Sequence, residues 1–140
     1  MYQRVPSPRI QSVMANPRTA ASVSRILVTD HDPEVRGAFA TKLQRAGYRA
    51  IEAKSGTEAL LRLRSERFQV LVLDLDIPDW DGFEMLKTVK EEHPGVHVLV
   101  VAKGPLVAAA ECLGATVSIE RWDASRLLVR TIRKLVGKPD

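Results

Sequence analysis

The stretch Val70-Leu71-Val72-Leu73-Asp74-Leu75-Asp76-Ile77-Pro78-Asp79-Trp80-Asp81-Gly82 decides the fold. Four apolar residues run directly into a carboxylate. An apolar run this short, closed by proline and glycine, reads as a buried strand of a parallel sheet. Asp74 then stands at the strand's carboxyl end, and ligands of open α/β sheets bind in the crevice outside those ends. Pro78 cannot extend a ladder, and Asp81-Gly82 turns the chain into the next helix.

The same alternation extends outward on both sides. Upstream, Arg25 to Thr29 reads as a first strand that ends at Asp30-His31-Asp32. Asp32-Pro33-Glu34 has the form of a helix start: a capping carboxylate, proline in the first turn, then an acid that the helix dipole favours. Val35, Phe39, Leu43 and Ala46 share one face of that helix, and Gly47 ends it. Tyr48 to Ala53 is a second strand. Ser55 and Glu58 have capping-box spacing, and Ala59, Leu60 and Leu63 give the second helix its apolar stripe. Phe68 to Asp74 is the third strand.

Downstream, Phe83, Leu86, Val89 and Lys90 line a third helix that stops before Pro94-Gly95. Val96 to Ala102 reads as a central strand, Gly104 to Leu113 as a short fourth helix, and Ala115 to Ile119 as the fifth strand. Asp123 is the expected N-cap of the last helix, with Leu128, Ile132 and Leu135 inward and Arg126, Arg130 and Arg133 outward. Cys112, in an apolar helical stretch, is expected to be a small buried hydrophobe.

Five strands alternating with five helices call for an α/β doubly wound parallel sheet, with strand order 2-1-3-4-5. That order makes the first and third strands neighbours, so Asp30 and Asp74 converge at one mouth.

Composition narrows the classes of function. The 140 residues are 45% hydrophobic and 27% charged, an ordinary globular balance for one domain. No apolar run approaches a membrane span, and no secretory signal opens the chain. One cysteine forbids an internal disulfide, which fits a reducing, cytoplasmic setting. The net charge of +4 belongs to residues 1–29, where Arg4, Arg9, Arg18 and Arg25 stand with no acid. Taking those 4 from 21 basic residues leaves 17, against 17 acidic ones. Residues 30–140 are thus neutral and carry no basic face, so direct nucleic-acid binding is not expected. Residues 1–23, with Pro6, Pro8 and Pro17 and no regular period, read as a basic disordered leader. The domain is expected over 24–137, with a short tail over 138–140.

Carboxylates gathered at one sheet edge repel unless a cation or proton compensates. Oxygen ligands of this kind suit Mg²⁺, which often bridges to a phosphoryl group. A carboxylate is also a nucleophile for phosphoryl transfer. Asp74 as acceptor, with Asp30 helping to hold Mg²⁺, makes a coherent centre. The plainer reading, turn residues and caps, is assigned to Asp32, Asp79 and Asp81.

Ile26-Leu27-Val28-Thr29-Asp30-His31-Asp32-Pro33-Glu34-Val35-Arg36 resembles the opening of bacterial response-regulator receiver domains. Ala46-Gly47-Tyr48, Ala53 and Gly56-Thr57-Glu58-Ala59-Leu60 resemble their second quarter. Val72 to Glu84 is similar to their phosphoacceptor segment, and Gly114-Ala115 to the approach to their fifth strand. The resemblance spans about residues 25–136. It implies a flavodoxin-like, non-enzymatic, stand-alone module of two-component phosphorelay signalling. Such a module takes a phosphoryl group from a histidine kinase or phosphotransfer protein with Mg²⁺, and passes the signal to a downstream protein. A homodimer is compatible with it. By this match Asp74 is the phosphoacceptor. Asp30, Asp74 and the Asp76 carbonyl are the metal ligands.

Departures from the family pattern are as specific. His31 stands where a second acid is usual, and imidazole is a poor ligand for hard Mg²⁺. Ala102 replaces a Thr or Ser hydroxyl that binds the phosphoryl oxygen. Arg121-Trp122 replaces Lys-Pro, so the phosphoryl contact falls to Arg121, which keeps the charge on a longer, planar group. Ser118 replaces the usual aromatic switch. These changes predict a divergent receiver with weak coupling between phosphorylation and output. The alternative is a phosphorylation-independent interaction module on the fourth helix, fifth strand and fifth helix, with Trp122 either packed at the mouth or exposed as an anchor. A third reading is a small phosphatase: Asp74-Leu75-Asp76 superficially resembles the two-aspartate motif of haloacid-dehalogenase-like phosphohydrolases. That motif normally follows a first strand, not a third.

Overall fold

The computed structural model describes residues 23–139. The expected leader, apart from its last residue, lies outside the described residues, as does Asp140. Strands β1 (Arg25–Thr29), β2 (Arg49–Ala53), β3 (Val70–Asp74), β4 (His97–Ala102) and β5 (Val117–Glu120) alternate with helices α1 (Pro33–Arg45), α2 (Gly56–Ser65), α3 (Gly82–Glu92), α4 (Pro105–Cys112) and α5 (Arg121–Val136). All pairings are parallel and the sheet order is β2-β1-β3-β4-β5, as the alternation requires.

Side-chain alternation along each strand divides the core in two. Ile26, Val28, Val70, Val72, Leu99 and Val101 meet Phe39 and Leu43 of α1 and Leu128 and Ile132 of α5. On the other face Leu27, Leu71, Leu73, Val98 and Val100 meet α2, α3 and α4 through Leu60, Leu63, Met85, Leu86, Val89 and Ala110. Every residue of β3 is buried, which explains why its sequence is continuously apolar rather than alternating.

Local chemistry sets where the helices begin. Asp32 caps α1 by accepting from Glu34 N–H at 2.9 Å, and Asp81 caps α3 by accepting from Phe83 and Glu84 N–H. Ser55 accepts from Glu58 N–H, while the Glu58 carboxylate accepts from Lys54 N–H, a capping box shifted by one residue. Asp79 reaches across from the β3–α3 loop and accepts from Gly56 and Thr57 N–H, both at 2.9 Å, so it caps α2 rather than its own helix. Gly47 follows α1 at φ +100°, a left-handed conformation that suits glycine.

Two expectations fail. Cys112 is exposed: α4 touches the sheet mainly through Ala110, and Cys112 lies off that line of contact. Asp123 is not the N-cap of α5. The helix begins at Arg121, with Glu120 as its cap residue, and Asp123 sits in the first turn paired with Arg126. β5 therefore passes into α5 without a loop. The strands are also shorter at their entrances than periodicity suggests, because apolar residues before β3 and β4 pack on the core without joining the ladder.

Candidate functional site

β1 and β3 are paired in register, with Thr29 opposite Leu73. The residues that follow, Asp30 and Asp74, therefore emerge side by side at the carboxyl edge, each only 1% exposed. Asp30 Oδ1 accepts from Asp32 N–H at 2.9 Å, and Asp74 Oδ1 accepts from Asp76 N–H at 3.0 Å. These local bonds orient both carboxylates into the same crevice.

Two cationic or polar groups complete the set. His31 Nδ1 lies 3.0 Å from Asp74 Oδ2, a hydrogen bond when that nitrogen carries the proton, and 3.8 Å from Asp30 Oδ1. Arg121, from the first turn of α5, donates through Nη2 to Asp74 Oδ1. Its Nη1 is 3.8 Å from Asp30 Oδ2, and its Nη2 is 3.7 Å from Asp76 Oδ2. One guanidinium thus faces three carboxylates. Burial raises the Asp30 carboxyl above its ordinary range. The Asp32 N–H pulls it down, the Asp74 charge pushes it further up, and Arg121 and His31 pull down more weakly.

The chemistry of the donors fits a divalent cation. Asp30 Oδ2 is buried without a hydrogen-bond partner, and an acid oxygen so placed calls for a counter-charge. Donor atoms of Asp30, His31 and Asp74 all lie within 4.8 Å of one another. The two carboxylates suit a hard ion, whereas the imidazole suits a softer one.

The remaining sequence candidates fall outside this cluster or beside it. Asp32 is committed to its cap. Ala102 is buried at the end of β4 and offers no donor. Ser118 is buried on the α4 side, where its hydroxyl donates to the Val107 carbonyl and its N–H donates to Glu111. Trp122 is 80% exposed, which decides against packing at the mouth.

Three further residues shape this edge without having been singled out for a role from the sequence. Arg36 donates to the Asp30 carbonyl at 2.8 Å and to Glu52 at 3.0 Å, tying α1 to the first strand's exit. Both Glu120 carboxylate oxygens accept from Gly104 N–H, at 3.0 and 3.1 Å, pinning the β4–α4 turn to the end of β5. Glu111 holds the Ser118 amide. Only Arg36 carried a signal, as part of the Asp30–Arg36 run.

Comparison with known proteins agrees with this geometry. A family model described as the response regulator receiver domain matches residues 26–119. The nitrogen assimilation regulatory protein NtrX of Azorhizobium caulinodans is 34% identical over 116 residues, covering 79% of this chain and 26% of that protein. The response regulator receiver protein CpdR of Brucella abortus is 29% identical over 86 residues, covering 61% of this chain and 72% of CpdR. The crystal structure of chemotaxis protein CheY4 of Vibrio cholerae superposes with a TM-score of 0.72 at 25% identity, covering 81% of this chain and 98% of that one. The chain spans about a quarter of NtrX and about half of response regulator RR06 of Streptococcus pneumoniae.

Proposed function

This chain belongs to the response-regulator receiver family and takes a receiver's part in two-component signalling, and from that premise we propose that Asp74 is its phosphoacceptor. The observation that carries the reading is the buried Asp74 carboxylate at the end of β3, faced by Asp30, His31 and Arg121. In the proposed step a carboxylate oxygen of Asp74 bonds to the phosphorus of a phosphohistidine. The P–N bond breaks, and the departing imidazole of the kinase or phosphotransfer protein takes up a proton. The product is an acyl phosphate on Asp74.

The chain's own residues prepare that step. Asp76 N–H fixes the acceptor's rotamer. The Arg121 guanidinium offsets charge on Asp74 and on the incoming phosphoryl oxygens, and its planar fork suits bidentate contact with them. Asp30, Asp74 and the Asp76 carbonyl are the residues that would hold Mg²⁺, which when bound supplies further charge compensation for the phosphoryl group. The imidazole of His31 makes this a weak Mg²⁺ site.

The coupling to output is also proposed to be weak. Ala102 has no hydroxyl to follow a phosphoryl group, and the Ser118 hydroxyl is already engaged by Val107. The downstream partner is proposed to meet the α4–β5–α5 side, where Leu106, Leu113 and Trp122 are exposed. A second copy of the chain is the other candidate for this surface. Among the described residues no helix is long and apolar enough to cross a membrane.

Incubation with acetyl phosphate and Mg²⁺, followed by intact mass measurement, tests the acceptor. A hydroxylamine-sensitive phosphorylated species is expected, and it should vanish in Asp74→Ala. The same species in Asp74→Ala, or none in the folded wild type, overturns the assignment.

A further inference from the structure

The donor set at the carboxyl edge mixes two carboxylates with an imidazole. We infer that Asp30, His31 and Asp74 form a site selective for an imidazole-accepting divalent transition ion, of which Zn²⁺ is the representative, over Mg²⁺. The inference deepens the phosphoacceptor reading and rests on the same pocket.

Geometry carries it first. An ion held about 2.0–2.2 Å from each ligand sets neighbouring ligand atoms roughly 3–3.5 Å apart. His31 Nδ1 is already 3.0 Å from Asp74 Oδ2 and 3.8 Å from Asp30 Oδ1. All three donor atoms lie within 4.8 Å of one another, so closing on a common ion needs movements of about an ångström. Asp30 supplies the second, independent sign: it is 1% exposed, and its Oδ2 has no hydrogen-bond partner. That oxygen lies 3.8 Å from Arg121 Nη1, on the side where Arg121 bonds Asp74.

Chemistry then chooses the ion. The other acids of the neighbouring loops are engaged elsewhere: Asp32, Asp79 and Asp81 are held as helix caps by backbone N–H groups, and the exposed Asp76 carboxylate is turned towards Arg121. Arg121 competes for the same carboxylates. An ion displacing it needs strong ligand bonds rather than a loosely held hydrated shell. Mg²⁺ sheds water reluctantly and gains little from imidazole, whereas the later first-row ions gain much. Binding takes the Nδ1 lone pair of the neutral His31 ring, whose proton then sits on Nε2, with no change of oxidation state.

The test is equilibrium binding of Zn²⁺ and of Mg²⁺ to the full chain by calorimetry, with no phosphoryl donor. Wild type, His31→Asp and His31→Ala are compared, each checked for folding by circular dichroism. Zn²⁺ is expected to bind more tightly than Mg²⁺ to wild type. In His31→Asp the Zn²⁺/Mg²⁺ affinity ratio should fall at least about tenfold, and Mg²⁺ should bind more tightly than to wild type. Nitrogen NMR should show one equivalent of Zn²⁺ moving the His31 ring. An unchanged ratio in His31→Asp overturns the inference. So does Zn²⁺ that moves His93 or His97 instead, or a folded wild type that binds no Zn²⁺. Acyl phosphate on Asp74 with Mg²⁺ but no Zn²⁺ preference sinks this inference and leaves the acceptor standing. Zn²⁺ on His31 with no acyl phosphate does the reverse.

Discussion

Asp30 carries a charge only against its surroundings. Burial, helped by the neighbouring Asp74 charge, holds its carboxyl above the ordinary range. The protonated form therefore favours the fold. Its contribution is whole below the ordinary carboxylate range and is lost as pH rises through the raised value. Asp30→Asn keeps an oxygen to accept from Asp32 N–H and removes the charge. It should raise Tm at neutral pH and leave Tm almost unchanged in acid, as thermal unfolding across pH would show. Gly82 makes the opposite kind of demand. A Cβ there would lie 2.4 Å from the Leu75 carbonyl oxygen, closing the neck of the loop that leaves β3. Gly82→Ala should lower stability by about 1–3 kcal/mol in urea unfolding. Asp30 and Asp74 were legible in the sequence because each ends an apolar run and the topology makes those runs neighbours. The contacts of Arg121 were not. They depend on the helix beginning one residue after the strand, and no periodicity signals that.

At the scale of elements, strand and helix order followed directly from alternation, since both faces of a parallel sheet need helices and each helix carries an apolar stripe. Caps within a single turn, Asp32, Ser55 and Asp81, were equally readable, because donor and acceptor are two or three residues apart. The cap role read for Asp79 holds, but the helix it caps was not readable, since its partners Gly56 and Thr57 are more than 20 residues upstream. Burial works to raise the Asp79 carboxyl, but hydrogen bonds from Thr57 and Gly56 outweigh it and leave it below the ordinary range. That stability is present above the ordinary carboxylate range and is lost as pH falls through the depressed value. Asp79→Ala should cost about 1 kcal/mol at neutral pH and less in acid, measured by chemical denaturation. The exposure of Cys112 escaped the sequence for a related reason. An apolar helix looks buried all round, yet α4 is short and rests on the sheet along one narrow line.

For the whole molecule, β3 is the centre of both core layers, with Leu71 and Leu73 on one face and Val70 and Val72 on the other. Leu71→Ala should destabilise by about 2–5 kcal/mol, more than any cap, and thermal unfolding should show it as one cooperative loss. The exposed patch on the opposite flank should behave differently. Trp122→Ala is expected to leave the unfolding free energy within about 0.5 kcal/mol of wild type. It should also remove most of the acrylamide-quenchable fluorescence, because Trp80 packs beside Gly56 and donates to Thr57.

α5 connects regions that are far apart. Its first residue, Arg121, reaches into the carboxylate cluster, and the carbonyl just beyond its last residue, Gly137, accepts from Tyr48 OH at 2.7 Å. Sixteen helical residues make a rod of about 24 Å between those two holds. A slight tilt at the guanidinium end becomes a larger sideways excursion at the phenol end. A fluorine placed on the Tyr48 ring would therefore register, from the far side of the domain, how firmly the carboxylates grip Arg121.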